Sequence, residues 1–222
     1  MPRRSLKSLA TLRSAASVLG LALLSAGPAA AQGAQGTFVV QQGGREIGRE
    51  DVTVQRGGGR DGASTSLSVV GRYPNVGPTT QIAATLDRNG EGALEKFVLE
   101  GQTPKGPTRV LAGGAGARLI IKSFVEGTES GREMAGGPDV VVLDENAYAL
   151  YAAIADLATP AGTRLTAMFP RSGRRAQFLA RRDGATVRLQ GELSGTLTLD
   201  PQGRVVKMDF PGSGTVVTRA DK

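Results

Sequence analysis

Apolar and polar residues alternate along most of this chain, with the period of two that is typical of β-strands with one face in a core. The clearest case is a pair of segments at residues 79–87 and 94–100. In the first of these, Ile82, Ala84 and Leu86 occupy every second position. A short polar turn separates the two segments, so they are predicted to form an antiparallel hairpin.

The same alternation, broken by glycine, proline and polar turns, recurs through the chain and predicts fourteen strands. They span residues 37–42, 45–55, 63–72, 79–87, 94–100, 108–112, 118–125, 139–143, 164–169, 175–182, 185–193, 196–200, 204–210 and 215–219. Their short, regular spacing predicts an up-and-down antiparallel meander in a single domain. Residues 32–36 are expected to be a flexible lead-in, and residues 127–137 a mobile connection.

The first two strands are predicted to be joined by Gly43-Gly44, because primed hairpin turns require positive φ at both central residues. Val52 and Val54 share a face of the second strand, whereas Ile47 falls at the wrong parity. A bulge near Gly48 would correct this parity.

Residues 144–158 are the one segment with the period of an amphipathic α-helix. Its apolar face comprises Ala147, Leu150, Tyr151, Ile154, Leu157 and Ala158. Asp144 is predicted to be the N-cap, and Thr159-Pro160 is predicted to end the helix. The apolar face should pack against the sheet, which makes Leu150, Tyr151 and Ile154 candidates for lining a ligand site.

Residues 1–31 are expected to be a cleaved signal peptide. Four basic residues precede residue 14, residues 15–24 are mostly apolar, and three alanines end at Ala31. This order is typical of an export signal, and the apolar run is shorter than the ~20 residues of a membrane span. The mature chain would begin at Gln32, in the periplasm or outside the cell.

The net charge of +7 belongs largely to the leader. Removing its four basic residues leaves 23 basic and 20 acidic residues, which is ordinary for a soluble domain. Net charge therefore does not indicate a nucleic-acid partner.

Cysteine and histidine are both missing from the sequence. Without them the chain has no disulfide, no thiolate or imidazole metal ligand, no Ser-His-Asp triad and no lipidated cysteine. We expect no catalytic residues, no metal site and no cofactor.

A basic hairpin is the strongest candidate for a binding surface. It comprises Arg171, Arg174, Arg175, Arg181 and Arg182, and it is flanked by Arg164 and Arg188 with only Asp183 opposing them. One interpretation is a solvated strand whose charges prevent edge aggregation. The alternative is an anion-recognition surface for phospholipid or lipopolysaccharide head groups or for an acidic partner.

The opening hairpin, FVVQQGGREIGREDVTV at residues 38–54, resembles the first hairpin of uncharacterised exported bacterial β proteins. In those proteins an apolar strand, a glycine turn and an Ile-Gly step begin a curved sheet. The order of elements is more distantly similar to the half-barrels of lipoprotein-localisation and lipoprotein-carrier proteins. Those carriers have large aromatic residues around a cavity and several helices as a lid, whereas this chain has few aromatics and one predicted helix.

These observations predict an all-β, mainly antiparallel fold, a strongly curved sheet or half-open barrel with one packed α-helix. The favoured function is an exported, non-enzymatic envelope protein that binds an apolar or amphipathic ligand, such as a lipid, or an envelope partner. One alternative is a structural or interaction protein with a filled interior and no small-molecule site. The other is a hydrolase that works without histidine or cysteine.

A cavity between sheet and helix that is large enough for an acyl chain would favour the ligand-binding function. The oligomeric state is left open by the sequence.

Overall fold

The computed structural model describes residues 32–57, 64–74, 80–115 and 117–220. The predicted signal peptide, residues 1–31, lies outside the described residues. The described residues form one 15-stranded sheet that is mostly antiparallel and not closed. The predicted all-β class is therefore confirmed.

The first eight strands follow one another as a meander. Their bounds are β1 Gln32–Gln42, β2 Arg45–Arg56, β3 Thr65–Tyr73, β4 Thr80–Arg88, β5 Leu94–Thr103, β6 Gly106–Ala115, β7 Arg118–Val125 and β8 Thr128–Ala135.

The second half begins with a short strand and a helix and continues as a second meander. The strands are β9 Val140–Val142, β10 Thr163–Phe169, β11 Arg174–Asp183, β12 Thr186–Gly191, β13 Gly195–Leu199, β14 Val205–Phe210 and β15 Thr215–Ala220. The helix between β9 and β10, Tyr148–Ile154, is a 3₁₀ helix and is called the core helix below. A second, three-residue 3₁₀ turn, Pro211–Ser213, precedes β15.

The two meanders join where β1 pairs with β15, so the first and last strands lie side by side in the middle of the sheet. The sheet edges are β8 and β9, and β9 pairs in parallel with β10. Hydrogen bonds also join the two meanders away from this seam. Arg132 of β8 donates to the carbonyl of Gly173 at 3.1 Å. Arg88 of β4 donates to the carbonyl of Val140 at 2.5 Å.

Two segments predicted to be irregular are strands. Residues 32–36 belong to β1 and pair with residues 52–56 of β2. Most of residues 127–137 form β8, which pairs with β7 from Val125↔Thr128 to Arg118↔Ala135. β8 is exposed along almost its whole length. It lacks alternation because neither of its faces contributes much to a core, and the period-two signal depends on such burial.

The first hairpin has the predicted turn and the predicted bulge. Gly43 and Gly44 have φ values of +57° and +78°. Val40 pairs with Gly48 and the next residue, Gln41, pairs with Glu46, so Ile47 is the extra residue. The bulge restores the parity that puts Val52 in the core.

The predicted α-helix at 144–158 is wrong in type and extent, although a helical segment does lie within it. The core helix has seven residues, and Asp144 is not its N-cap. In a 3₁₀ helix the side chains at i and i+3 lie in one row. This period places Tyr148 and Tyr151 in contact with Phe210 of β14, at ring-centroid distances of 6.1 and 5.0 Å. Five of its seven residues are buried, and Tyr148 and Ala152 are half-buried, so the helix is inside the core and not amphipathic.

Burial of the core helix predicts a large stability difference between two leucines of the same size. Leu150 is 0% exposed and Leu111, on the outer face of β6, is 39% exposed. Leu150→Ala should lower the free energy of unfolding by about 2–5 kcal/mol, because it leaves a cavity that the core cannot fully close. Leu111→Ala should change it by about 1 kcal/mol or less. Urea denaturation of both variants measures the difference, and equal midpoints would contradict the buried position of the helix.

Candidate functional site

The most unusual group in the interior is the carboxylate of Glu50, on β2. Glu50 is 0% exposed and has three hydrogen-bond donors. The Tyr73 hydroxyl donates to Oε1, as does the backbone N–H of Tyr148 at 2.7 Å. The N–H of Ala149 donates to Oε2 at 2.5 Å. Glu50 thus binds the two free N–H groups at the start of the core helix, which a helix cannot satisfy internally.

A glycine on β2 makes room for the tyrosine of this cluster. Gly48 is buried, and a Cβ there would collide with the ring of Tyr73 and with the carbonyl of Arg72. Any larger residue at position 48 would displace the Tyr73 ring. The Ile-Gly step seen in the sequence therefore has a packing role, since it brings the Tyr73 hydroxyl to Glu50.

A second buried carboxylate, Asp144, lies close to the first turn of the core helix. Its side chain is 1% exposed and forms a bidentate ion pair with Arg171, with both N–O distances at 2.6 Å. Asp144 also accepts from the backbone N–H of Asn146 at 2.8 Å. Asp144 therefore orders the turn before the helix, whereas Glu50 caps the helix itself. Such a pair is costly to break from one side, because it leaves an uncompensated buried charge.

Burial raises the pKa of Glu50 to about 7, although hydrogen bonds from Tyr73, Ala149 and Tyr148 act in the opposite direction. The negative charge of Asp144 adds to the increase. Burial and the charge of Glu50 raise the pKa of Tyr73 as well. Burial lowers the pKa of Arg171, but the hydrogen bonds and charge of Asp144 outweigh this effect and raise it overall.

A buried carboxyl with a pKa near neutrality can be a general acid or base when a substrate can reach it. Glu50 is closed off from solvent, and each of its oxygens already accepts a hydrogen bond from the protein. In this arrangement the cluster of Glu50, Tyr73, Asp144 and Arg171 is an anchor for the core helix. Its neighbour Asp51 is exposed on the opposite face of β2.

Arg88, the last residue of β4, is a buried cation. It is 3% exposed, and burial lowers its pKa to about 10. Nη2 donates to Val140, whereas Nε and Nη1 have no partner among the described residues. Both of these nitrogens are inaccessible to solvent, so no space for a bound anion adjoins them. Arg88 is therefore not a ligand site in this arrangement.

The predicted ligand-facing residues Leu150, Tyr151 and Ile154 are in the packed core, with exposures of 0%, 5% and 0%. A cavity beside Ala152 of the core helix has a volume of about 20 Å³. That is space for about one water molecule, whereas pockets for drug-sized ligands are about 300–1,000 Å³. No acyl chain fits in this space between the core helix and the sheet.

The five arginines of the predicted anion-binding surface do not lie together. Arg171 is bound to Asp144 inside the fold, and Arg174 lies over the ring of Phe169, 3.7 Å from its centroid. Arg182 is half-buried and donates to the carbonyl of Gly184 at 3.4 Å. Arg175 and Arg181 are exposed on the outer face of β11, about 20 Å apart along the strand.

Arg181 instead lies close to two of the flanking arginines on the neighbouring strands. Arg188 of β12 is directly opposite Arg181, and Arg164 of β10 is opposite Leu179, two residues before Arg181. All three arginines are exposed and point away from the interior. We call this set, Arg164, Arg181 and Arg188, the arginine face. These cations are visible in the sequence, but only the register of β10, β11 and β12 brings them into one group.

A surface cleft of about 490 Å³ lies where β15 ends beside β1. It is lined by Gln35, Gly36, Thr37, Asp51, Val52, Thr53, Arg204, Arg219 and Ala220. The Arg219 guanidinium covers Gly36 and donates to the carbonyl of Gln35.

Within the described ranges, no helix has the length and apolar character needed to cross a membrane.

No protein-family model, curated protein or solved structure matches this chain. The resemblance of residues 38–54 to exported bacterial β proteins, and the more distant one to lipoprotein-localisation proteins, therefore stays a prediction.

The raised pKa of Glu50 predicts a pH dependence of stability. Below about pH 4.5 the carboxyl is protonated in the folded and unfolded states alike, so it contributes no pH dependence. Between pH 4.5 and about 7 the unfolded state loses this proton first, so the free energy of unfolding falls as pH rises, by on the order of 3 kcal/mol. Glu50→Gln removes this contribution. We expect urea denaturation across this range to show a flatter profile for Glu50→Gln than for the unchanged protein.

The exposed residue Glu95, on β5, provides the control for this experiment. Glu95→Gln removes the same type of charge without touching the core helix and should keep the original pH profile. Superimposable profiles for Glu50→Gln and the unchanged protein would show that Glu50 does not carry the pH dependence.

Proposed function

We propose that this is an exported, non-enzymatic envelope protein that acts through its outer surface on a partner and has no internal small-molecule site. The observation that carries the proposal is the filled space between sheet and core helix. Leu150 and Ile154, which would face a ligand in a lipid carrier, are fully buried against protein. The adjoining cavity of about 20 Å³ is too small for an acyl chain.

Opening the interior to admit a ligand would require the core helix to leave the sheet. That movement would remove two backbone donors from Glu50 and expose the aromatic contact between Tyr151 and Phe210. An unpaired donor or acceptor left buried costs about 1–3 kcal/mol, and more when the group is charged. A helix tied in this way is suited to a structural role in the fold and not to a lid.

The export part of the proposal is based on residues 1–31 alone, with their basic leader, apolar run and alanine site. The non-enzymatic part is supported by the missing histidine and cysteine and by the inaccessible position of Glu50. Together they favour a protein whose activity consists of contacts made by its outer face.

Native mass spectrometry of the protein purified from its own cells tests the proposal. We expect a single species with the mass of a chain that begins at Gln32 and with no bound lipid. A co-purifying lipid that survives a high-salt wash and is released only when the protein unfolds would contradict the filled interior. An intact Met1 terminus on protein in the membrane fraction would contradict export. Delipidated protein mixed with a fatty acid serves as the control for lipid lost during purification, and we expect it to bind none.

A further inference from the structure

We propose that the arginine face, Arg164, Arg181 and Arg188, binds the anionic head groups of a phospholipid surface. This inference deepens the proposed function and rests on it, because it names the partner of the outer surface. It also changes the membership of the basic surface predicted from the sequence, since Arg181 is the only one of those five arginines in the set.

The pairing of Arg181 with Arg188 is the first observation. They are directly opposite each other on neighbouring antiparallel strands. Residues in such positions have Cβ atoms about 4.5–5.5 Å apart, and like charges there destabilise a sheet. Arg164 is a diagonal neighbour of Arg181 across β10 and β11, at a Cα separation of about 7–8 Å. The register of three strands therefore places three outward-facing arginines in a small area.

The lack of acidic partners is the second observation. In the part of the chain that the structure describes, none of these three arginines forms an ion pair with a carboxylate. Arg181 has one long hydrogen bond, from Nη2 to the carbonyl of Ala161 at 3.4 Å. The carboxylate on the same strand, Asp183, is exposed two residues beyond Arg181. Other exposed arginines of the sheet, such as Arg109 and Arg118, do have carboxylate partners.

The direction of the side chains distinguishes an extended partner from a small ligand. Alternate residues of β11, Ala176, Phe178 and Ala180, are buried in the core, so Arg181 points away from it. A face that points outward from a sheet cannot enclose a small anion, but it can rest on a plane of phosphates. Leu179, half-buried between Arg164 and Arg181, adds apolar surface at the centre of the group.

Guanidinium groups are suited to this partner because their planar fork of N–H donors matches the oxygens of a phosphate. Each basic side chain near an anionic lipid surface contributes about 1 kcal/mol, which is about a fivefold change in binding. Three arginines together correspond to roughly a 100-fold change. This attraction should weaken steeply as salt screens it.

The test is co-sedimentation of the purified full protein with phosphatidylglycerol and phosphatidylcholine vesicles. The variant Arg164→Gln/Arg181→Gln/Arg188→Gln keeps polarity and removes the three charges. The matched control, Arg72→Gln/Arg109→Gln/Arg118→Gln, removes three exposed arginines that each have a carboxylate partner. Each triple variant changes the net charge equally, so a difference between them reports the position of the charges.

We expect the unchanged protein and the control variant to bind phosphatidylglycerol vesicles and not phosphatidylcholine vesicles. The arginine-face variant should bind roughly 100-fold more weakly, since it lacks three phosphate contacts. Binding should be lost between about 0.1 M and about 1 M salt, where the Debye length falls from about 10 to about 3 Å. Thermal unfolding by circular dichroism should show that both variants stay folded. If the triple variant unfolds, Arg188→Gln alone should still lower binding about fivefold.

Equal binding by the two triple variants would overturn the inference, as would equal binding of the unchanged protein to both vesicle types. Binding to polyglutamate but not to phosphatidylglycerol would assign the arginine face to an acidic polypeptide and overturn the lipid partner. Each of these outcomes overturns the inference about the arginine face only. The proposed function is unaffected by them if native mass spectrometry finds no internal lipid. Conversely, a lipid found inside the fold would end the proposed function even if vesicle binding follows the arginines.

Discussion

The fold depends on one buried carboxylate that joins segments far apart in the sequence. Glu50 of β2 accepts from Tyr73 of β3 and from the first two N–H groups of the core helix, 98 and 99 residues later. Burying an ionisable group without these donors would cost several kcal/mol. Each donor therefore constrains the others, and the helix has one position in which Glu50 is satisfied. Tyr73 can reach Glu50 because Gly48 leaves space for its ring.

This constraint is also the reason for our proposal that the protein acts through the outside of the sheet. A helix anchored at its first turn and packed through Tyr151 against Phe210 fills the space that a lipid would need. The outer faces of the two meanders differ in character. Strands β6 and β7 expose the apolar residues Leu111, Ile120 and Phe124, whereas β10 to β12 carry the arginine face. Among the described residues, the arginine face carries unpaired positive charge because strand register groups its three arginines. Exposed arginines elsewhere, such as Arg109, have carboxylates within reach.

Much of the sheet could be predicted because strands with one buried face carry a period of two. The bulge at Ile47 followed from parity, and the Gly43-Gly44 turn from the need for positive φ. β8 was missed because an exposed edge strand has no such period. The core helix was misjudged because its cap is Glu50, a residue that local sequence cannot connect to Tyr148 and Ala149. Its 3₁₀ period brings Tyr148 and Tyr151 together against Phe210, a tertiary contact that local sequence does not reveal. The arginine face could not be predicted, because it depends on the register of β10, β11 and β12.

Native-state hydrogen exchange at the amides of Tyr148 and Ala149 measures whether Glu50 keeps the core helix closed. Those two N–H groups donate to Glu50, so we expect them to exchange only when the whole domain unfolds. Their opening free energy should equal the global free energy of unfolding measured by urea, and it should match that of the buried strand residue Val40. Exchange of both amides at a much lower free energy, with the strands still protected, would show that the core helix opens by itself. That result would contradict the filled, permanently closed interior and return the helix to the role of a lid.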